Sequence, residues 1–385
     1  MKIANLPPPS LVQDAEALSD LIDVLSVQPH VAVDTESNSM YAYKEQVCLL
    51  QFSVPEIDYL VDPLVLTEMS PLAPIFADPK IEKIFHGAEY DVVCLKRDFG
   101  FTFNNLFDTR IASRTLGWKR SGLRDLLASE FDVQIDKRFQ RANWGKRPLP
   151  TKLLDYARLD THYLIPLRQR LAEALHEAGR WEEVSEACDY LTNADAHDNG
   201  FDPEGFWRIR NTRELKPKQL AVLRQLYLFR NEHAKRLNRP VFKVIGDSTL
   251  RAIALDAPTD LKSLSTLPGM TAGQTRRYGE GILKAVEIGL KAPIPKRPKS
   301  NVIDESVQLR FDSLHEWRKR VARARSVESD IVLPREILRE IARIAPHDLE
   351  ALRKVMAPLE WRFKNYGEEI LQTLWEDPDH HPRHS

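Results

Sequence analysis

A repeat in the C-terminal half constrains this chain most. Ala257-Pro258-Thr259-Asp260-Leu261 recurs as Ala345-Pro346-His347-Asp348-Leu349, and Tyr278-Gly279-Glu280 recurs as Tyr366-Gly367-Glu368. Ile253-Ala254 returns as Ile341-Ala342, and Ile282-Leu283 as Ile370-Leu371. Each pair is 88 positions apart, with no gap. One such coincidence means little, but several at one offset require duplication of a unit. The apolar spacing of Leu220–Leu237 and Gln274–Leu290 makes the unit helical, and Pro268-Gly269-Met270 makes a turn within it. Two copies of a small helical module are therefore expected at 210–292 and 303–380. A linker at 293–302 should join them, because APIPKRPKS (292–300) is rich in Pro and Lys. A chain of 385 residues is expected to form two or three domains, which leaves one domain for residues 1–205.

That front segment reads as mixed α/β. Val31-Ala32-Val33, Val47–Val54, Ile57–Val61 and Ile81–Phe85 read as strands, the first three as an antiparallel meander. Helical spacing follows from Glu89 to Phe99, after Phe107-Asp108-Thr109, and from Leu153 to Leu175. Strands followed by alternating strand and helix predict a mixed sheet with helices packed on it. Thr192–Gly200 is polar and reads as a connection to the helical modules.

Charge sharpens this division. The whole chain carries −1, but residues 1–200 hold 21 Lys+Arg against 31 Asp+Glu, and residues 201–300 hold 20 against 9. Residues 301–385 are near balance, with 14 against 16. An acidic front and a basic middle suggest a polyanion processed by one part and held by another. Lys216, Lys218, Arg224, Arg230, Lys235, Arg236, Arg239, Lys243, Arg276 and Arg277 supply the basic field of the first module. Such a field gives salt-sensitive, largely sequence-independent nucleic-acid binding. No apolar run approaches the roughly 20 residues of a membrane span, and MKIANLPPPS lacks the layout of a signal peptide. Three scattered cysteines, none in a CxxC pair, fit small buried side chains in a reducing cytoplasm. With no heptad seam, a monomer is expected.

Three short segments carry candidate chemistry. In Val33-Asp34-Thr35-Glu36, residues two apart on a strand face the same side, so Asp34 and Glu36 project together. Paired carboxylates repel unless a cation lies between them, although an acidic strand exit has the same pattern. In Ile84–Asp91 a strand ends at Gly87 and a helix opens near Asp91. An acid there either complements the helix dipole or supplies a third metal-facing carboxylate, with Glu89 as its competitor. In Tyr156-Ala157-Arg158-Leu159-Asp160, Tyr156 and Asp160 share one helix face, which fits either a joint site or a surface acid beside a buried ring.

Together the three segments resemble the DEDD superfamily of 3′–5′ exonucleases, in its tyrosine-bearing branch. Phe107-Asp108-Thr109, Asn143-Trp144-Gly145-Lys146-Arg147-Pro148-Leu149 and Asp155–Leu164 look like ribonuclease D, and the repeated modules look like HRDC domains. The match runs along nearly the whole chain in order. It implies a ribonuclease-H-like fold with a mixed sheet, followed by two all-α HRDC-like modules. It also implies that Asp34, Glu36, Asp91 and Asp160 bind metal and that Tyr156 completes the catalytic set. Met356-Ala357-Pro358 replaces Pro268-Gly269-Met270 in the second copy, which puts RNA binding by that copy in question.

Phosphodiester hydrolysis by two divalent ions, Mg²⁺ or Mn²⁺, suits an all-carboxylate set. A phenol with an ordinary pKa of about 10 is a poor base at neutral pH, so Tyr156 is expected to orient the attacking water. Trp144, between Arg141 and Lys146-Arg147, is a candidate for the substrate channel, where an aromatic ring can stack on a base. His86 either approaches the substrate or caps the strand end, and Met40 is a candidate wedge against the terminal base. Arg276 and Arg277 are candidate phosphate contacts. The expected function is 3′–5′ exoribonuclease action on RNA, with transfer-RNA precursors as the substrate the resemblance implies. A DNA 3′–5′ exonuclease and a non-catalytic RNA-binding adaptor are the alternatives.

Overall fold

The computed structural model describes residues 6–195, 200–298 and 304–375. The chain forms two compact units. One contains Met1–Glu36, Val47–Ala196 and Val302–Ser385; the other contains Ser37–Gln46 and His197–Asn301. Residues 196–199 and 299–302, within the two expected connections, and residues 303 and 376–385 of the expected second module and beyond lie outside the described residues.

The first unit is organised around six strands: β1 (Ser10–Val12), β2 (His30–Ser37), β3 (Val47–Val54), β4 (Ile57–Val61), β5 (Glu82–Phe85) and β6 (Leu106–Asp108). Their order is β1-β4-β3-β2-β5-β6. β3 and β4 pair antiparallel, whereas β1 runs parallel to β4, and β2 and β6 run parallel to β5. The mixed sheet is as expected, but β1 was not foreseen. Three residues on an edge leave almost no periodic signal. β2 is central, and Val31, Ala32 and Val33 are fully buried, because a strand covered on both faces needs apolar side chains on both. Asp34 and Glu36 follow where β2 leaves that apolar core.

Nine helices of the described residues pack around this sheet: α1 (Ala15–Ser26), α2 (Ala73–Ala77), α3 (Glu89–Phe99), α4 (Thr109–Thr115), α5 (Leu123–Phe131), α6 (Thr151–Ala157), α7 (Leu159–His162), α8 (Leu164–Glu177) and α9 (Trp181–Thr192). The helix expected over Leu153–Leu175 is thus three, broken at Arg158 and Tyr163. Pro166 has no N–H for the previous turn, so the helix restarts just ahead of it. Arg158 is buried and bonds the Asp58 carboxylate 100 positions away.

The second helical module belongs to this same unit. It comprises α15 (Glu305–Arg325), α16 (Ser329–Val332), α17 (Arg335–Ile344), α18 (Leu349–Val355) and α19 (Glu360–Trp375); α10–α14, given below, precede them. Charged side chains fix it to α4 and α9. Arg325 pairs with the fully buried Glu183 at 2.5 Å, and Arg362 pairs with Glu186 at 2.6 Å. Arg114 on α4 holds Asp330 at 2.8 Å and also bonds Glu328.

The other unit holds the first module: α10 (Pro217–Arg236), α11 (Val241–Val244), α12 (Asp247–Asp256), α13 (Leu261–Ser265) and α14 (Ala272–Lys291). α11 and α12 stand 88 positions before α16 and α17, end for end. Asp260 and Asp348 cap equivalent helices. Ala257 and Ala345 end α12 and α17 in the left-handed conformation, at φ 47° and 51°. Segment Ser37–Gln46, which continues β2, packs with this module. Tyr43 donates its hydroxyl to Asn231 at 2.7 Å and its backbone N–H to Asn238 at 3.2 Å. Lys243 lies 4.0 Å from the centre of the Tyr41 ring.

Candidate active site

Three elements deliver acids to one place. The end of β2 brings Asp34 and Glu36, the first turn of α3 brings Asp91, and α7 brings Asp160. Asp34, Glu36, Tyr156 and Asp160 line one cleft of about 410 Å³, together with Thr35, His86, Arg110 and Arg124. Asp91 joins them from beneath: Thr35 donates its hydroxyl to the Asp91 carboxylate at 2.5 Å.

The electrostatics of this cluster are severe. Burial, then the charges of Asp91, Asp160 and Glu36, push the Asp34 carboxyl far above the usual carboxylate range. Burial and the charges of Asp160 and Asp91 do the same to Glu36. Burial raises Asp91 to about 7, against the opposing hydrogen bond from Thr35. Burial and the Asp91 charge raise Asp160 to about 7. Like charges crowded out of water favour their neutral forms, so the set is stable as carboxylates only with cations among them. The donors are all oxygen, which fits a hard divalent ion. Among the described residues, no three His, Cys, Asp or Glu side chains are already spaced as a ligand cage. The acids converge without being closed around a point.

Tyr156 is buried beside them. Burial and the charges of Asp160, Glu36 and Asp34 raise its phenol above its ordinary pKa, so it stays protonated and can donate a hydrogen bond. Trp144 stacks on Tyr156 with ring centroids 6.2 Å apart, and Phe139 lies 5.8 Å away.

The Gly87-Ala88 turn that launches α3 is held by Asp108. This buried carboxylate accepts from the N–H groups of Gly87 and Ala88, at 3.0 and 2.7 Å, and from those of Arg110 and Ile111 at the start of α4. One carboxylate thus ties the turn before Asp91 to the neighbouring helix. Phe107-Asp108-Thr109 could be read as a motif, but its role is visible only in these bonds. His86 shares a hydrogen bond with Thr109 Oγ1 at 2.9 Å. Burial, opposed by Asp108 and aided by the charge of Arg110, lowers the His86 pKa to about 4. It is therefore a neutral ring at the cleft wall.

The other expected substrate contacts fare differently. Trp144 is 1 % exposed, so it supports Tyr156 and cannot stack on a base. Arg147 bonds Asp62 at 2.6 Å and the carbonyls of Cys48, Trp144 and Lys146, which commits it to holding its own loop. Lys146 is exposed but does not line the cleft. Met40 is exposed on segment Ser37–Gln46, which packs with the first module. Arg276 and Arg277 are exposed on α14. Arg230 is 4 % exposed and bonds the Ile245 carbonyl, so it belongs to the core of its module and not to a phosphate-binding field. Arg110 and Arg124 were not anticipated at the cleft. Averaging charge over residues 1–200 concealed a basic stretch: residues 101–150 hold 10 Lys+Arg against 5 Asp+Glu.

Comparison with known proteins places the chain's domains in known families. The 3′–5′ exonuclease domain family matches residues 9–176, and the HRDC domain family matches residues 219–286 and 308–374. Ribonuclease D of Gluconacetobacter diazotrophicus is 31 % identical over 302 residues, covering 77 % of this chain and 76 % of that protein. The exosome complex exonuclease RRP6 of Saccharomyces cerevisiae is 30 % identical over 298 residues, covering 74 % of this chain and 41 % of that protein. The catalytic core of RRP6 from Trypanosoma brucei superposes with a TM-score of 0.67 at 29 % identity, over 76 % of this chain and 82 % of that one. Escherichia coli RNase D shares the fold, with a TM-score of 0.70 at 24 % identity over 97 % of this chain and all of that one. The nuclease and HRDC matches and the relatives above two thirds coverage agree, and the chain belongs to the ribonuclease D family of 3′–5′ exoribonucleases that act in RNA processing.

Proposed function

We propose that Asp34, Glu36, Asp91 and Asp160 hold two divalent ions, Mg²⁺ or Mn²⁺, and that Tyr156 positions the water that cleaves the terminal phosphodiester. The supporting observation is the cluster itself: crowded, partly desolvated acids that raise one another's pKa need positive charge to remain ionised. Divalent metal is the general cofactor of this exonuclease family, and bound there it would activate water and stabilise charge on the attacking and leaving oxygens. The residues do the rest. Asp34 and Glu36 hold their ligand positions from one rigid strand, and Thr35 fixes the orientation of Asp91. Tyr156, still protonated, donates to the water and orients its lone pair toward phosphorus. Trp144 behind it limits the ring's movement. Water oxygen bonds to phosphorus, the bond from phosphorus to the 3′ oxygen breaks, and that oxygen takes a proton. The products are a nucleoside 5′-monophosphate and an RNA one residue shorter.

The exposed cations of the first module, Arg276 and Arg277 included, hold the body of the substrate. Structured RNA with a free 3′ end, transfer-RNA precursors included, suits that division of labour. The protein acts as a monomer in the cytoplasm. The test uses 5′-labelled single-stranded RNA and the matching DNA, with Mg²⁺, Mn²⁺ or chelator. A metal-dependent ladder shortening from the 3′ end on RNA is expected, abolished in Asp34→Asn. Tyr156→Phe should lower kcat about 10²-fold with little change in KM, as loss of a positioned hydrogen bond does. Undiminished hydrolysis by Tyr156→Phe would remove Tyr156 from the mechanism, and a ladder on DNA alone would reassign the substrate.

A further inference from the structure

The catalytic cleft is not isolated. A second cleft of about 500 Å³ lies beside it, in the same compact unit, between the nuclease body and the second module. One side chain, Arg110, lines both. It is the second residue of α4 and is exposed.

Two exposed arginines of the nuclease body, Arg110 and Arg120, have no carboxylate partner among the described residues, and of these only Arg110 lines a cleft. Arg97, Arg114, Arg147, Arg158 and Arg168 are each paired with a carboxylate. Among the described residues, the Arg110 guanidinium has no hydrogen bond or ion pair. Asp108 lies two positions away, but its oxygens are taken by four backbone N–H groups. Arg124, the other arginine of the catalytic cleft, faces Asp125 at 3.4 Å. The Arg110 stem lies in van der Waals range of Gly87, a residue of the turn that launches α3. Arg110 is thus an uncommitted, planar cation at the seam of two clefts, next to acids it does not neutralise.

We propose that Arg110 binds an RNA backbone phosphate on the 5′ side of the scissile bond, where the chain passes from the catalytic cleft into the second one. This rests on the exonuclease reading, in which the 3′ end stops at the carboxylates and the remaining chain must leave. With the metals committed to the scissile phosphate, the next phosphate of the departing chain has no cation of its own, and a guanidinium at the exit supplies one. Its donors also match phosphate oxygens in pairs, which fixes the approach of the strand.

The test compares full-length wild type, Arg110→Ala and Arg110→Lys with Mg²⁺ on two substrates. One is a single-stranded RNA of about ten residues. The other is a dinucleotide, whose single phosphodiester is the scissile one. For the longer RNA, Arg110→Ala should raise KM about 10-fold and keep kcat within about twofold. The slope of log KM against log salt should become shallower by about 1, the signature of one lost phosphate contact. Arg110→Lys, with the charge but not the fork, should fall between. The dinucleotide should show wild-type KM with all three proteins. Binding of the longer RNA in chelator should weaken in parallel. Wild-type KM and salt slope in Arg110→Ala would overturn the assignment, as would an equal loss of kcat on both substrates. If the wild type itself left RNA intact, the exonuclease reading would fall; cleavage by the wild type with an unaffected Arg110→Ala would remove Arg110 alone.

Discussion

In the first module Arg230 donates to the Ile245 carbonyl and Gln274 to that of Val244; in the second, Arg318 donates to Leu333 and Arg362 to Val332. The bonds are the same, 88 positions on. Around this shared frame the charges diverge. Where the second module has Arg325, Asp330 and Trp361, the first has Leu237, Phe242 and Gly273. Those second-module residues face the nuclease body, and Arg325 meets a fully buried glutamate there. The first module instead keeps Lys235, Arg236, Arg239, Arg276 and Arg277 exposed. A duplicated fold can thus hold its backbone bonds constant while its charge turns inward in one copy and outward in the other.

The difference can be broken at the buried pair, where the largest effect is expected. Glu183→Gln leaves Arg325 charged beside a neutral partner and should cost about 3–5 kcal/mol in denaturant unfolding. A loss below about 1 kcal/mol would mean the second module is not fixed by charge. The outward copy is tested by changing Arg236, Arg239, Arg276 and Arg277 together to Gln. RNA affinity near 0.15 M salt should fall about 10–100-fold, equal to roughly 1.4–2.8 kcal/mol, with melting unchanged. Four exposed cations of the second module, Arg320, Arg323, Arg339 and Lys364, changed together to Gln, should change affinity by less than about threefold; an equal loss would erase the contrast.

The catalytic acids handle charge in a third way, since they crowd one another at the cleft with no cationic side chain paired to them among the described residues. Their folded pKa values stand above the unfolded ones, so the folded state binds more protons between about pH 4 and 7. Linkage then requires the metal-free protein to lose stability as pH rises through that window. In chelator the melting temperature should fall by several degrees from pH 5 to 7.5, and Mg²⁺ should restore it. A melting temperature that rises over that interval would contradict the raised values. The smallest effect belongs to exposed pairs: Lys354→Ala, which frees Glu350, should stay within about 0.5 kcal/mol.

What could be read from the sequence was local or periodic. Asp34 and Glu36 stand two apart on an apolar strand, Tyr156 and Asp160 four apart on helical turns, and the repeat keeps one offset. What could not be read depends on long-range pairing. Arg147 has the composition of a phosphate contact, but its partner Asp62 is 85 positions away. Arg325 looks like a basic surface residue until Glu183, 142 positions away, closes on it. Trp144 lies in a polar, basic loop, and its burial follows from Tyr156 rather than from its neighbours in sequence. Arg230 was counted as surface charge because the helical period of α10 tolerates an arginine whose head reaches a buried carbonyl.

The two left-handed alanines bear on ancestry. A residue with a Cβ in that conformation is disfavoured by roughly 1–2 kcal/mol, and glycine would relieve the clash. Ala257 and Ala345 nevertheless occupy it at the same place in the two modules, at nearly the same angle. Independent routes to one helical fold would have little reason to settle on the same awkward residue at the same step. Like a misspelling reproduced in two manuscripts, the shared blemish marks both modules as transcripts of a single original, made before one of them was turned toward the nuclease body.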